Sequence, residues 1–216
     1  MKPATDPLTD RWHAIRSRQR ELITDAVIAA VTGHPQETVT VSTVALMARI
    51  SRKTFYKYFR SLDEAMAFAA ETALRGIGLP APETLAGQTG RERFLATIEG
   101  MMLSGLAQPE LLRFLSHFDF AFRGNLAPEV ERSFSLSVEK LYQGVGETFL
   151  EGQRDGSIRA DLDPVLTVAT AGNAALGLVQ RIVSFPLDAE LEAIARLELE
   201  AWGNLLAPVE AALPSR

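Results

Sequence analysis

The sequence contains no cysteine, and this absence excludes two classes of protein. Disulfide-bonded domains and thiolate metal sites both need cysteine side chains, so the composition fits the reducing cytoplasm. The N-terminus is polar and lacks the apolar core of a secretory signal peptide. At 216 residues, of which 47% are hydrophobic, the chain can instead bury one good core and a small satellite domain. We therefore expect a cytoplasmic protein.

Catalytic and metal-binding patterns are also missing. The only three histidines, His13, His34 and His117, lie far apart and lack the spacing of metal ligands. The sequence contains no GxxxxGK phosphate loop, no GxGxxG pattern and no GxSxG nucleophile elbow. Carboxylates are plentiful but lie along predicted solvent faces. We therefore expect no enzyme, no cofactor and no bound metal.

Long apolar runs and strand patterns are scarce. The longest uncharged run, Pro164 to Gln180, falls just short of a membrane span and contains Asn173. It predicts a helix buried in protein, with no membrane contact. No segment shows sustained alternation of β-branched residues, whereas helical spacing and helix-start signals recur throughout. The sequence therefore predicts an all-α fold of about nine helices.

Charge is distributed unevenly along the chain. Residues 11–60 contain nine Lys/Arg and three Asp/Glu, a net charge of +6, whereas residues 61–216 contain 12 Lys/Arg and 22 Asp/Glu, a net charge of −10. Four arginines of the first predicted helix contribute, and they either form a solvated face or reach phosphates: Arg11, Arg16, Arg18 and Arg20. A basic module joined to an acidic body indicates that one part meets a polyanion.

Two short helices joined by a tight turn are predicted between residues 40 and 58. Thr40 can cap the first helix and Ser51 the second, because each side-chain oxygen can accept a hydrogen bond from an unpaired amide. The second helix, Arg52 to Tyr58, has Phe55 and Phe59 four residues apart on an inward face. Its outward cations are Arg52, Lys53 and Lys57. A short cationic helix on an apolar platform has the shape and charge to enter a DNA major groove.

The stretch SRKTFYKYFRSLDE, residues 51–64, resembles the signature of the TetR family of bacterial transcriptional regulators. The resemblance covers about the first third of the chain. It implies a helix-turn-helix DNA-binding domain over residues 1–60 and a helical ligand-binding and dimerisation domain over residues 61–216. The residues expected to bind DNA are Thr40, Ser51, Arg52, Lys53, Thr54, Tyr56, Lys57 and Arg60.

Two positions depart from the family pattern. Arg49 stands where the family usually has glycine in the turn, so the turn is either slightly strained or differently shaped. Leu62 stands where the family usually has a lysine that touches a DNA phosphate in many members. This chain either lacks that contact or supplies it through Arg60.

The stretch LLRFLSHFDFAF, residues 111–122, predicts a helix that is apolar around most of its girth. Such a helix is buried on several sides or lines a cavity. The family resemblance implies a small-molecule pocket in this part, and ordinary core is the other interpretation of each aromatic. Asn173 predicts a buried amide whose partner is a ligand or a second subunit. The candidate pocket residues are Met101, Met102, Phe114, His117, Phe118, Tyr142 and Asn173.

The last two predicted helices favour a homodimer. The first is rich in alanine and glycine, which let helices approach closely, and the second has an apolar stripe that includes Leu197 and Leu205. In the family the equivalent pair builds a four-helix interface, and a two-fold pair of short helices reads a palindrome. The sequence thus favours a repressor that binds a palindromic operator and is released by a small effector. The alternatives are a carrier or enzyme that retains the helix-turn-helix, and a regulator that works through a protein partner without a ligand.

Overall fold

Nine α-helices and no strand form the described part of the chain, which in this computed structural model comprises residues 7–33, 38–80, 82–184 and 191–208. The all-α prediction is confirmed. The helices are α1 Pro7–Gly33, α2 Val41–Met47, α3 Arg52–Phe55, α4 Leu62–Ile77, α5 Gly90–Leu106, α6 Pro109–His117, α7 Pro128–Asp155, α8 Pro164–Ser184 and α9 Leu191–Leu206.

Local signals in the sequence account for most of these bounds. Proline occupies the first position of α6, α7 and α8, where its missing amide donor costs nothing. Asp163 caps α8 by accepting a hydrogen bond from the Leu166 amide at 2.8 Å. Gly156 follows the end of α7 at φ 78°, a conformation that glycine adopts without strain. Asp188, a residue type that suits the N-cap of the last predicted helix, lies outside the described residues.

Two helices end earlier than the sequence predicted. α3 ends at Phe55 rather than Tyr58, and the chain continues in turns closed by Lys57 N–Thr54 O and Tyr58 N–Phe55 O hydrogen bonds of 3.1 and 2.9 Å. α6 ends at His117, and the next five residues, Phe118–Phe122, form a π-helical turn. The turns after α3 are tighter than an α-helix, and the turn after α6 is wider. Both change the directions of the side chains that follow.

Ser61 and Glu64 have the spacing of a capping box at the start of α4, but the box is only half formed. The Ser61 hydroxyl accepts the Glu64 amide at 3.1 Å, but the Glu64 carboxylate accepts the amide of Arg60 at 2.6 Å instead of that of Ser61. A complete box occurs at α5, where Thr89 and Glu92 each accept the other's backbone amide. These hydrogen bonds lower the pKa of Glu92 below its usual value.

The chain divides into two compact units. The first comprises residues 1–73 and 114–136, and the second comprises residues 74–113 and 137–216. These units differ from the two domains predicted from the sequence, residues 1–60 and 61–216. The predicted domain boundary stays a prediction. α4 contributes to both units because the boundary falls inside it.

In the second unit, α5 lies close against the end of α7. A Cβ atom at Gly90 would collide with the backbone of Gly152, so this crossing requires glycine. The Gly90 amide donates to the Asp155 carboxylate at 2.7 Å. Hydrogen bonds from Ser157 and from that amide hold the pKa of Asp155 below its usual value. Phe94 and Phe149 meet edge to face at 5.4 Å between ring centroids, which places an aromatic pair in this core.

α8 is the helix, among the described residues, that is long and apolar enough by length and composition to cross a membrane. Its most apolar window has a mean hydropathy of 1.2, and 22% of that window is buried within the chain. One face is buried, including Ala171, Ala175 and Val179, while the opposite face is exposed. The prediction of a helix buried in protein therefore holds for one face of the single chain.

Candidate nucleic-acid interface

An aromatic cluster supports the short helix α3 from behind. Phe55 and Phe59 are 0% and 1% exposed, and their ring centroids lie 5.8 Å apart. Phe59 also lies 5.6 Å from Phe68 of α4. Val44 of α2 is likewise fully buried. The predicted inward face is confirmed, and it holds α3 on a platform built from α2, α4 and the turn after α3.

Arg49 resolves one of the alternatives left open by the sequence. It has φ 55°, the left-handed region in which a Cβ atom is strained by roughly 1 kcal/mol. Its amide donates to the Leu46 carbonyl at 3.1 Å, and the Ile50 amide donates to the Ala45 carbonyl at 2.9 Å. These two bonds form the Schellman pattern that ends many helices, usually on glycine. The turn therefore has the Schellman geometry, and the backbone of Arg49 is strained.

Three cations of the interface are exposed and lack an ion pair. Arg52 and Lys53 begin α3, and Lys57 lies in the turn that follows. All three side chains are exposed, and none forms an ion pair with another residue in the described part of the chain. Exposed cations without local partners are available to a polyanion.

The predicted hydroxyl-bearing residues have structural partners at the helix starts. The Thr40 oxygen accepts the Thr43 amide at 3.1 Å, which caps α2. The Ser51 oxygen accepts the Thr54 amide at 3.0 Å, and the two hydroxyls lie 2.9 Å apart. Both predicted caps are confirmed. A hydroxyl that accepts an amide can still donate its proton to a phosphate oxygen.

Tyr56 and Arg60 border the cationic helix. Tyr56 is 49% exposed, and its ring meets Phe55 edge to face at 5.5 Å. The Arg60 side chain is 93% exposed, with its Nε 3.7 Å from the Glu64 carboxylate. Such exposed pairs are weak, so this arginine can turn to a phosphate at little cost. Leu62 is half-buried at the start of α4, where it offers no charge.

The sequence left open whether Arg49 alters DNA contacts and whether Arg20 lies on a solvated face or reaches a phosphate. Arg49 is exposed in the turn between α2 and α3, but the sequence pattern marked it only as a departure from glycine. Arg20 is half-buried instead of lying on a solvated face, and its guanidinium carbon lies 4.0 Å from the Phe68 ring centroid. The sequence alone places a positive charge in the turn, whereas the stacking of Arg20 on Phe68 is visible only in the folded structure.

The seven candidate pocket residues are divided between the two units. Phe114 and Phe118 belong to the first unit, both fully buried and stacked 6.3 Å apart. His117 is half-buried in the same unit, with its ring 5.8 Å from Phe122. Met101 and Met102 belong to the second unit and are buried in α5. The pocket itself stays a prediction.

Tyr142 and Asn173 complete the candidate set in the second unit. Tyr142 is half-buried, and burial raises the pKa of its phenol to about 12. Asn173 is exposed on α8 in the single chain, and its predicted partner, a ligand or a second subunit, stays a prediction. Phe120 is 93% exposed, which corrects the expectation of a helix apolar and buried around most of its girth. Phe120 lies two residues after the buried Phe118 and therefore on the opposite side of the helix, and no described residue covers that side.

The fold matches solved structures, whereas the sequence matches no family model and no curated protein. A TetR family transcription regulator from Marinobacter aquaeolei VT8 shares 18% identity at a TM-score of 0.62, covering 91% of this chain and 98% of its own. The MbdR regulator from Azoarcus sp. CIB shares 19% identity at a TM-score of 0.64, covering 87% and 98%. FadR from Bacillus subtilis, solved with stearoyl-CoA, shares 16% identity at a TM-score of 0.67, covering 86% and 98%.

These likenesses extend over nearly the whole of each matched chain. The chain therefore has the fold of TetR family transcription regulators, including the helix-turn-helix formed by α2 and α3. All three matched proteins are named as regulators rather than as enzymes.

Proposed function

We propose that this protein is a transcription regulator that binds a palindromic operator as a homodimer and is released by a small effector. The observation that carries the proposal is α3, a short helix whose exposed cations Arg52 and Lys53 have no ion pair with a described residue. α3 rests on the buried rings of Phe55 and Phe59. In helix-turn-helix proteins the second helix enters the major groove and reads bases with its N-terminal residues.

The roles of the other cations follow from their positions. Lys57 and Arg60 lie after α3, where a helix lying in the groove is flanked by the DNA backbone. We assign them to phosphates, with the hydroxyls of Thr40 and Tyr56. The net charge of +6 on residues 11–60 attracts the DNA as a whole, because phosphate neutralisation provides most of the nonspecific affinity.

The outer face of α8 supports dimerisation. Ala169, Ala174 and Gly177 are exposed there together with Leu166, which is 69% exposed. A Cβ atom at Gly172 or Gly177 would meet nothing within 4 Å in the chain itself. Packing within the chain therefore gives no reason for these glycines, each of which costs about 1 kcal/mol relative to alanine in a helix.

α9 carries a second uncovered apolar stripe. Leu197 and Leu205 are 65% and 45% exposed, whereas the adjacent Leu206 is fully buried. Two helices that expose apolar residues within one unit are suited to a four-helix interface with a second copy. The same arrangement supports the interpretation of α8 as a protein-covered helix instead of a membrane span.

The proposed mechanism has two states. An effector in the body favours one spacing of the two DNA-binding heads, and operator DNA favours the spacing that matches one helical turn. Effector and operator then oppose each other through a shared equilibrium. The FadR neighbour solved with stearoyl-CoA supports a search for the effector among apolar compounds, because small-molecule pockets are lined mainly by apolar side chains.

A selection from a random duplex library tests the DNA-binding proposal and identifies the operator in the same experiment. We expect enrichment of a palindrome whose half-sites lie about 10 base pairs apart centre to centre. Binding to the enriched duplex should weaken steeply with salt, and a scrambled duplex of the same composition should bind at least about a thousandfold more weakly. Equal affinity for the enriched and scrambled duplexes contradicts the regulator and favours a carrier that merely retains the helix-turn-helix.

The effector part has its own test at Phe118. Phe118→Ala removes a buried ring that packs edge to face on Phe134 at 5.3 Å. If Phe118 borders a pocket, the variant alters release by an effector while the folded protein keeps its DNA affinity. Loss of stability by about 3–5 kcal/mol with unchanged effector response assigns Phe118 to ordinary core. Thermal melting measured beside operator binding separates the two outcomes.

A further inference from the structure

A groove with a volume of about 520 Å³ lies within the first unit. One side is formed by α1 residues that include Arg16, Arg20 and Asp25, and Phe68 of α4 lines it as well. Tyr58, which follows the cationic helix, also contributes to the lining. The volume falls in the range of small-molecule sites, about 300–1,000 Å³. None of the residues assigned above to DNA or to the effector lines this groove.

Arg20 is the unusual member of the lining. Its guanidinium carbon lies 4.0 Å from the Phe68 ring centroid and 4.9 Å from that of Phe59. Its Nε atom is buried and has no hydrogen-bond partner among the described residues. No carboxylate in the described part of the chain pairs with it either. Because Nε is covered, the terminal guanidinium nitrogens are the donors that a ligand in the groove would meet.

The stacking of Arg20 restricts the chemical groups that a ligand of this groove can carry. A guanidinium that lies over aromatic rings keeps its N–H donors in its own plane, and that edge matches the two oxygens of a carboxylate. Arg16, four residues earlier on the same face of α1, adds a second cation to the groove. Phe68 and Tyr58 add aromatic surface on which a flat ring can lie.

Two acidic residues limit the charge of the ligand. Glu21 and Asp25 also line the groove, and Glu21 accepts a hydrogen bond from the Ser17 hydroxyl at 3.0 Å. Their negative charges disfavour a multiply charged phosphate more than a single carboxylate. We propose that the groove is a binding site for a small monocarboxylate that carries a planar ring, held edge-on by Arg20.

The site also has a physical connection to α3. Arg20 covers the ring of Phe59, and Phe59 packs on Phe55 within α3. A carboxylate that draws the guanidinium towards the groove loosens the support behind the cationic helix. Occupancy therefore lowers operator affinity from within the DNA-binding head, a consequence that rests on the proposed DNA binding.

Titration of the full-length protein with sodium benzoate, followed by ligand-observed NMR without DNA, tests the site. We expect a Kd of about 1 mM for benzoate, with acetate and inorganic phosphate weaker. Arg20→Gln should weaken benzoate binding by about tenfold to a hundredfold, because it removes a charge-assisted bidentate pair. Arg18→Gln, an exposed arginine on α1 outside the groove, is the matched control and should leave the Kd unchanged.

Thr72→Trp provides a second variant that leaves Arg20 in place. Thr72 is an exposed groove residue of α4, so an indole there should fill the groove and block benzoate while melting stays near that of wild type.

The site is overturned if benzoate does not bind, if Arg20→Gln and wild type bind it equally, or if phosphate binds more tightly. Weaker operator binding in benzoate, lost in Arg20→Gln, supports the coupling to α3, and unchanged operator affinity overturns that coupling. If no operator is found while benzoate binds, the regulator proposal fails and the site stands.

Discussion

α3 and α8 each present a face that no described part of the chain covers, and the two faces differ in chemistry. The face of α3 carries Arg52 and Lys53, which form no ion pair with a described residue, whereas that of α8 carries alanine, glycine and leucine. Exposed charge is fully hydrated and stays available to a diffusing polyanion. Exposed apolar surface instead favours a permanent cover. The comparison therefore assigns α3 to a transient partner and α8 to a second copy of the chain.

The largest expected effect comes from placing a charge on the α8 face. Gly177→Glu should bury an unpaired carboxylate in the proposed interface, at a cost of about 3–5 kcal/mol, and convert the dimer to monomers. Sedimentation velocity at micromolar concentration measures the outcome, and operator binding should fall with it.

Gly144→Glu on α7 is the matched control for that change. Both glycines are exposed helix positions where a Cβ atom meets nothing within 4 Å, so the substitutions are alike in local structure. Gly144→Glu should stay dimeric. Monomeric wild type, or two variants with the same sedimentation, would remove the distinction between the two helices.

The next largest effect concerns the α3 face. Arg52→Ala should cost about 1–3 kcal/mol of operator affinity and relax the preference at one base position. Arg18→Ala removes an equally exposed arginine from α1 and should leave the base preference intact. Gel-shift titrations on operator duplexes with single base changes measure both. An unchanged preference in Arg52→Ala defeats the assignment of α3 to base reading.

The turn before α3 offers a smaller and opposite effect. Arg49→Gly should raise the free energy of unfolding by about 1 kcal/mol, because glycine adopts φ 55° without strain. Arg49→Ala removes the same charge but keeps the Cβ atom, so it should give no such gain. Urea unfolding of the three proteins measures the difference. Equal stability of the glycine and alanine variants would show that the turn is not strained.

Lys57 gives the smallest effect and sharpens the division between base and phosphate contacts. Lys57→Ala should weaken binding to all duplexes alike and reduce the slope of log K against log salt concentration by about 1. Affinity measured at several salt concentrations gives this slope. A change in base preference would instead move Lys57 to the base-reading group.

The accuracy of the sequence-based predictions varied with the range of the interactions concerned. The caps at Thr40, Ser51 and Asp163 were predictable because each hydrogen bond spans only three residues. The early end of α3 was not, because the turn after it brings Phe59 onto Phe68 of α4. A contact between separate helices leaves no periodic trace in the local sequence.

The predictions of candidate site residues also depended on the range of the interactions concerned. The cations of α3 were identified from spacing and resemblance, since an exposed helix needs no other element to define its polar face. The partner of Asn173 stays a prediction, because a helix of mostly small residues gives little sign of which face its own chain covers. Phe120 lies opposite Phe118, as helical spacing alone places it, but that spacing gives no sign that this side of the helix is uncovered.

By itself, the sequence determined the helical class, most helix starts and the cationic character of α3, because these depend on backbone propensity, capping and charge within a few residues. The tertiary structure alone decided two other features: the uncovered face of α8 and the stacking of Arg20 on Phe59 and Phe68. Both depend on which surfaces meet when helices pack. Packing is set by the whole fold, so the order of residues along any one helix does not reveal it.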